Sequence, residues 1–313
     1  VYSAEVLMPV LSVVLAAALL AAPPCVEPAP DPSNTYDAPH TYTKLVRDYP
    51  DIHIASDALP PGVRKSADQV YAQYGTRCLE LDVYRPAGDR LPVVVFVHGG
   101  GWKSGYRSEF VPMALRLTQH GYAAVTVSYR LSGEARYPAA VQDVQDAVRW
   151  VRAHAAEFGL DANRIALAGG SAGGQIAALA GVTAGDDVKA IVNIDGLSDF
   201  TTELALKYED DPNKNPSSAG AWFGGRYAET KALWRAASPI QYVHAGMPPI
   251  LFIGSGQPRF SAGREAMRAQ MANLGVASDQ LILEGTPHSF WLFDPWLQPT
   301  VDKTVAFLHQ HLP

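Results

Sequence analysis

Three short stretches carry residues able to act together on a carbonyl. The first is Gly169-Gly170-Ser171-Ala172-Gly173, a G-x-S-x-G pattern between an apolar run and a helix-like run. A sharp strand-to-helix turn needs glycines around the serine and lifts its Oγ clear of the backbone. The helix that begins there aims free N–H groups at nearby negative charge. The second stretch is His98-Gly99-Gly100-Gly101-Trp102, directly after an apolar run. Consecutive glycines leave backbone N–H groups unobstructed, so Gly100 and Gly101, with Ala172 N–H, form a candidate oxyanion hole. A phosphate-cradling loop needs Lys-Ser/Thr in a register that Lys103 and Ser104 do not provide. The third stretch, residues 285–291, contains His288, a candidate base placed after the last strand-like run. Of the nine histidines, His98 opens the glycine loop and is expected to brace it. The other seven are expected to be surface or core residues.

These groups need a scaffold that brings together positions more than a hundred residues apart. From about residue 68 the chain alternates strand and helix patterns. Strands are expected near 77–86, 92–97, 122–130, 164–170, 188–195, 248–254 and 279–284, with a further strand near 68–73. Helices are expected near 106–120, 138–159, 171–181, 262–274 and 298–311. Pro138 opens the second of them and Gly159 closes it. Val141, Val144, Val148 and Val151 give that helix one apolar stripe. The alternation predicts an α/β fold with a mainly parallel sheet and helices on both faces. Residues 196–246 show no buried-strand pattern and are expected to form a cap beside the site.

In the order HGGGW, GGSAGG and a late PHSFW, the chain resembles the α/β-hydrolase superfamily in its HGGG-type esterase/lipase branch. Residues 129–151 and 161–174 resemble that branch's approach to the nucleophile, and the likeness covers roughly residues 65–313. The segments NIDG, AWFGG, ASPI and PHSFWLFDPW are similar to those of exported bacterial esterases acting on acylated carbohydrates, of acetyl or feruloyl type. The resemblance implies an eight-stranded, mainly parallel sheet with a small cap. It also implies a serine nucleophile, an acyl-enzyme, and no metal or cofactor.

One position departs from the family pattern. The family's usual acid falls on Gln257, whose amide cannot stabilise an imidazolium by charge. Asp195, at the end of residues 188–195, lies one strand earlier and is the candidate acid in its place. Such a placement is known in pancreatic-type lipases. Asp199, Glu265, Glu284 and Asp294 are the other candidates, and an Asp-Gly turn role for Asp195 is the simpler alternative. Trp102, Trp222 and Trp291 are candidate substrate contacts, with packing beneath the cap as the alternative. Asp143 and Asp146 could mimic metal ligands, but no His or Cys accompanies them.

Residues 6–22 form an apolar run with one polar residue, and the prolines after it suggest a signal peptide over 1–22. A retained anchor is the alternative. Residues 23–64 are expected to be a Pro-rich linker and N-terminal arm, disordered over 23–40. The catalytic domain is expected over 65–313. With 25 basic and 31 acidic residues, the net charge of −6 opposes nucleic acid as a partner. Hydrophobic residues make up 48% of the chain, a globular composition. Cys25 falls in the expected linker and Cys78 in a strand, so no disulfide is expected between them. The combined expectation is a secreted or periplasmic serine esterase. Its partners would be small-molecule or polysaccharide esters, with no stable membrane association after cleavage. A prolyl-type serine peptidase and a non-catalytic hydrolase-like binding protein are the rival readings.

Overall fold

The computed structural model describes residues 24–312, so the signal peptide expected over 1–22 lies outside the described residues. An eight-stranded sheet has the order β2-β3-β5-β4-β6-β7-β8-β9. Its strands are β2 (Arg64–Tyr74), β3 (Arg77–Arg85), β4 (Leu91–Val97), β5 (Ala123–Val127), β6 (Leu160–Gly170), β7 (Ala190–Ile194), β8 (Ile250–Gly254) and β9 (Ser278–Ile282). The pairs β2–β3 and β3–β5 are antiparallel and the rest are parallel. Besides the sheet, β1 (His53–Ile54) and β10 (Phe293–Asp294) form a small antiparallel pair.

The continuous apolar runs of the central strands follow from burial on both sides. Along β4, Val93, Val95 and Val97 join one core, while Val94 and Phe96 join the other. The first core receives α3 (Ala139–Ala153), α4 (Ala172–Val182) and α8 (Arg264–Asn273). The second receives α2 (Val111–Thr118) and α9 (Leu297–His311). The expected valine stripe of α3 is buried. Its helix ends at Ala153 rather than near Gly159, with His154 Nδ1 2.9 Å from the Trp150 carbonyl. Residues 196–246 contain α5 (Glu203–Glu209), α6 (Ser218–Phe223) and α7 (Tyr227–Ala236). Their aromatic residues extend the first core: Phe200, Trp222, Phe223 and Trp234 interlock edge-on and tilted.

Two expectations fail at the N-terminal arm. Residues 24–40 are not a disordered linker: Val26 N donates to Thr76 O (2.9 Å), and Cys78 N donates to Val26 O (3.1 Å). Helix α1 (Ala38–Leu45) follows, N-capped by Asp37. That pairing brings Cys25 to a Cα separation of 5.2 Å from Cys78, and the two form a disulfide. Composition alone gave no reason for the arm to dock. The reason is electrostatic as well as covalent, because Glu27 pairs with Arg107 and Arg77. Arg107 is 5% exposed and also holds Glu80, Asp82 and Asp68. Asp143, fully buried, takes a forked contact from Arg130 (Nη2 to Oδ1 2.6 Å, Nε to Oδ2 2.9 Å) rather than a metal. Among the described residues no helix is long and apolar enough to cross a membrane, and no group of His, Cys, Asp or Glu could hold a metal ion.

Candidate active site

The end of β6 runs into α4 through Ser171, whose φ of 56° and ψ of −125° lie outside the ordinary regions for a non-glycine residue. The surrounding backbone holds this turn. Ser171 N donates to Ile194 O at 2.8 Å. A Cβ on Gly173 would lie 2.1 Å from Val97 O, so only glycine lets α4 approach β4 this closely.

His288, in the loop after β9, lies between the serine and a carboxylate. Its Nε2 is 2.9 Å from Ser171 Oγ and its Nδ1 is 2.9 Å from Asp195 Oδ2. The ionised carboxylate accepts from Nδ1–H, which leaves the Nε2 lone pair to accept the serine proton. Asp195 is 4% exposed, at φ 50°, and its own N–H donates to Ile253 O at 2.8 Å. Its second oxygen accepts from Ser255 N at 2.9 Å. The carboxylate is therefore pinned at both oxygens. Because β7 lies between β6 and β8, its tip reaches the histidine that Gln257 does not contact. The Gln257 amide instead donates to Thr286 O at 3.5 Å. The other candidate acids are engaged elsewhere. Asp199 accepts from Thr201, Glu265 pairs with Arg264 and Arg268, and Asp294 pairs with Arg116. Glu284 lies beside Gly256. The His288 ring stacks on Phe260, with centroids 3.6 Å apart, and meets Trp291 edge-on at 5.3 Å.

The glycine loop faces the serine. Lys103 N, Ser104 N and Ser104 Oγ all donate to Gly100 O, curling the loop into a tight turn. A Cβ at Gly100, where φ is 107°, would lie 2.1 Å from Ser104 O. Among the described residues, Gly100 N and Gly101 N donate to no backbone carbonyl. Ala172 stands at the first position of α4, where an N–H has no partner within its own helix. His98 braces the loop as expected. It is 2% exposed, stacks on Tyr129 at 4.2 Å, and has Nδ1 2.8 Å from Gly99 O. Burial lowers its pKa to about 4, so it is neutral at pH 7.

A cavity of about 50 Å³ opens at Ser171, lined by Gly101, Trp102, Ala172, Leu197 and Phe260. Glu209 and Arg259, paired at 2.8 Å, add the polar wall. Gly101 and Ser218 also border a larger groove of about 830 Å³, whose far wall is the arm around Glu27 to Tyr36. Of the three candidate tryptophan contacts, Trp102 lines the small cavity. Trp222 does not: it is 0% exposed and stacks behind Trp102 at 5.1 Å, as part of the first core. Trp291 is 1% exposed and packs beside His288 with its Nε1 directed to Glu109. Both are packing residues, because aromatic rings close the space between the cap or β10 and the sheet. Glu109 and the Glu209–Arg259 pair were missed by sequence reasoning. Neither belongs to a local motif.

Comparison with known proteins gives the family. The BD-FAE family profile matches residues 81–258, more than half of the chain. Esterase LipQ of Mycobacterium tuberculosis is 31% identical over 68% of this chain and 54% of its own length. Esterase LipC of the same organism is 32% identical over 74% of this chain and 62% of its own length. The chain thus spans little more than half the length of these curated relatives. Among solved structures, the hyperthermophilic esterase from the archaeon Pyrobaculum calidifontis superposes with a TM-score of 0.65. It is 28% identical, over 85% of this chain and 87% of that one. The Thermogutta terrifontis esterase Est2 in its propionate-bound form gives a TM-score of 0.64 at 27% identity, over 80% of this chain and 94% of that one. The sheet order, the serine turn and the glycine loop are those of the α/β-hydrolase fold, and the chain belongs to the BD-FAE family of HGGG-type α/β-hydrolase esterases and lipases.

Proposed function

We propose that this protein is a serine esterase that cleaves short-chain carboxylic esters, with acyl groups on carbohydrates as the natural substrates. The observation that carries the reading is the pair of 2.9 Å contacts joining Ser171, His288 and Asp195 in line. His288 Nε2 takes the Ser171 proton as Oγ attacks the ester carbonyl. The N–H groups of Gly100, Gly101 and Ala172 hold the oxyanion, and Asp195 stabilises the imidazolium. His288 returns the proton to the leaving alcohol. Water then attacks the acyl-enzyme by the same route.

The small cavity at Ser171 supports a short acyl group. The larger groove, whose lining includes Glu27, Asp31, Asn34 and Ser104, supports a bulkier, hydroxylated alcohol. The Cys25–Cys78 disulfide supports export, since such bonds persist in oxidising compartments. Contact between Asp195 and His288 supports catalysis over a non-catalytic binding role, which drew its force from Gln257. Turnover of p-nitrophenyl acetate, abolished in Ser171→Ala, tests the activity. Release of acetate from acetylated xylan, compared with feruloyl esters, tests the substrate class. Absence of turnover by the unaltered protein on every ester would sink the reading.

A further inference from the structure

We propose that Glu109 is a positioning residue that locks the oxyanion loop, the base-bearing loop and the N-terminal arm into one geometry. Its carboxylate receives three donors from three segments far apart in sequence. Gly99 N donates to Oε2 at 2.7 Å, Trp291 Nε1 to Oε1 at 2.9 Å and Tyr36 Oη to Oε1 at 3.1 Å. Each donor leads to a working part. Gly99 precedes the two glycines of the oxyanion hole. The Trp291 ring stands edge-on to His288, and a Cβ on Gly170, next to the nucleophile, would lie 2.6 Å from that ring. Tyr36 belongs to the arm that walls the large groove. Glu109 touches no reacting atom, so its effect passes through Gly99 and Trp291.

Burial raises the Glu109 pKa to about 7 against the lowering by its three donors, so the carboxylate gains its charge near neutrality. Tyr36 and Tyr129 face it, and both are held un-ionised, by burial first and by the Glu109 charge second. His98 lies next to Gly99, and His288 lies across the Trp291 ring. Protonated Glu109 has fewer lone pairs for three donors, and the lock loosens as pH falls below about 7.

This inference rests on the acyl-transfer reading above. Its test is the pH dependence of kcat on p-nitrophenyl acetate, normalised by active-site titration, for the unaltered chain and Glu109→Gln. The variant is expected to lose about ten- to a hundred-fold in kcat at pH 8 with KM changed less than about threefold, the scale of a misplaced catalytic group. Around pH 7 the low-pH limb of log kcat should be steeper in the unaltered enzyme than in the variant, by the proton that Glu109 takes up. Trp291→Phe removes a single donor and serves if Glu109→Gln does not fold. It should lower kcat, and the double variant should lose less than the product of the single losses. A kcat within twofold in Glu109→Gln, or in Trp291→Phe if that variant stands alone, overturns the inference, as does an unchanged limb. An inactive unaltered protein fails the esterase reading instead.

Discussion

Replacing Asp195 by Asn tests the relay at its least expected member. The two side chains have the same shape, so the fold is preserved, and the consequence can be worked from the contacts. Ser255 N–H donates to Asp195 Oδ1 at 2.9 Å, and a backbone N–H demands an acceptor. In Asp195→Asn the amide oxygen must take that place, and the NH2 group then faces His288 Nδ1. An NH2 donor there forces Nδ1 to accept, moving the ring proton to Nε2, where it points at Ser171 Oγ. The histidine then holds a proton at the nitrogen that should remove one. The wrong tautomer and the lost carboxylate charge together cost about 10⁴-fold in kcat in a serine protease relay, about 5.5 kcal/mol of transition-state stabilisation. We expect a loss of that order here, with KM for p-nitrophenyl acetate little changed. Gln257→Ala, which removes only a 3.5 Å contact to Thr286 O, should cost less than about threefold, within the effect of a weak surface contact. Steady-state rates normalised to titrated active sites give both numbers. An Asp195→Asn enzyme within tenfold of the unaltered rate, or a Gln257→Ala enzyme that falls further, would refute the tautomer argument.

Other outcomes follow from the same contacts. Opening the Cys25–Cys78 link by a double Ser replacement frees a loop spanning 53 residues, which should cost about 4 kcal/mol in denaturant unfolding; a loss below about 1 kcal/mol would mean that Glu27 and Val26 dock the arm unaided. Trp222→Ala should destabilise by about 3–5 kcal/mol, as expected of a fully buried ring. A raised KM at unchanged stability would restore Trp222 as a substrate contact. The pKa of His98 is depressed to about 4 from its ordinary 6.5. Its stabilising contribution, about 3 kcal/mol, is therefore present above pH 6.5 and lost as pH falls towards 4. Glu109 has the opposite sign: its pKa is raised to about 7 from 4.5, so its contribution is present below pH 4.5 and lost as pH rises through 7. Between pH 4.5 and 6.5 the two oppose each other. Glu109→Gln should therefore lose stability more steeply on acidification than the unaltered chain, as followed by urea midpoints. An unchanged pH slope removes this account.

The parts of the site legible in the sequence are those built by neighbours along the chain. Gly169 to Gly173 and His98 to Trp102 need particular backbone conformations over five residues each. Glycine, serine and histidine at those positions announce the conformation by themselves. The sheet was legible for a similar reason, since strands buried on both faces need unbroken apolar runs and the helices between them need an apolar stripe. Asp195 was only one acid among several until β7 was seen between β6 and β8, with the His288 loop folded over its tip. The burial of Trp222 and Trp291 was one of two readings open to them, and the disulfide and the three-way hold of Glu109 had no signature at all. Each joins segments far apart in sequence, such as Cys25 with Cys78 or Glu109 with Trp291. Residue type shows what a side chain can bond. Which of its possible partners it meets depends on strand order and loop packing, and these exist only once the chain has folded.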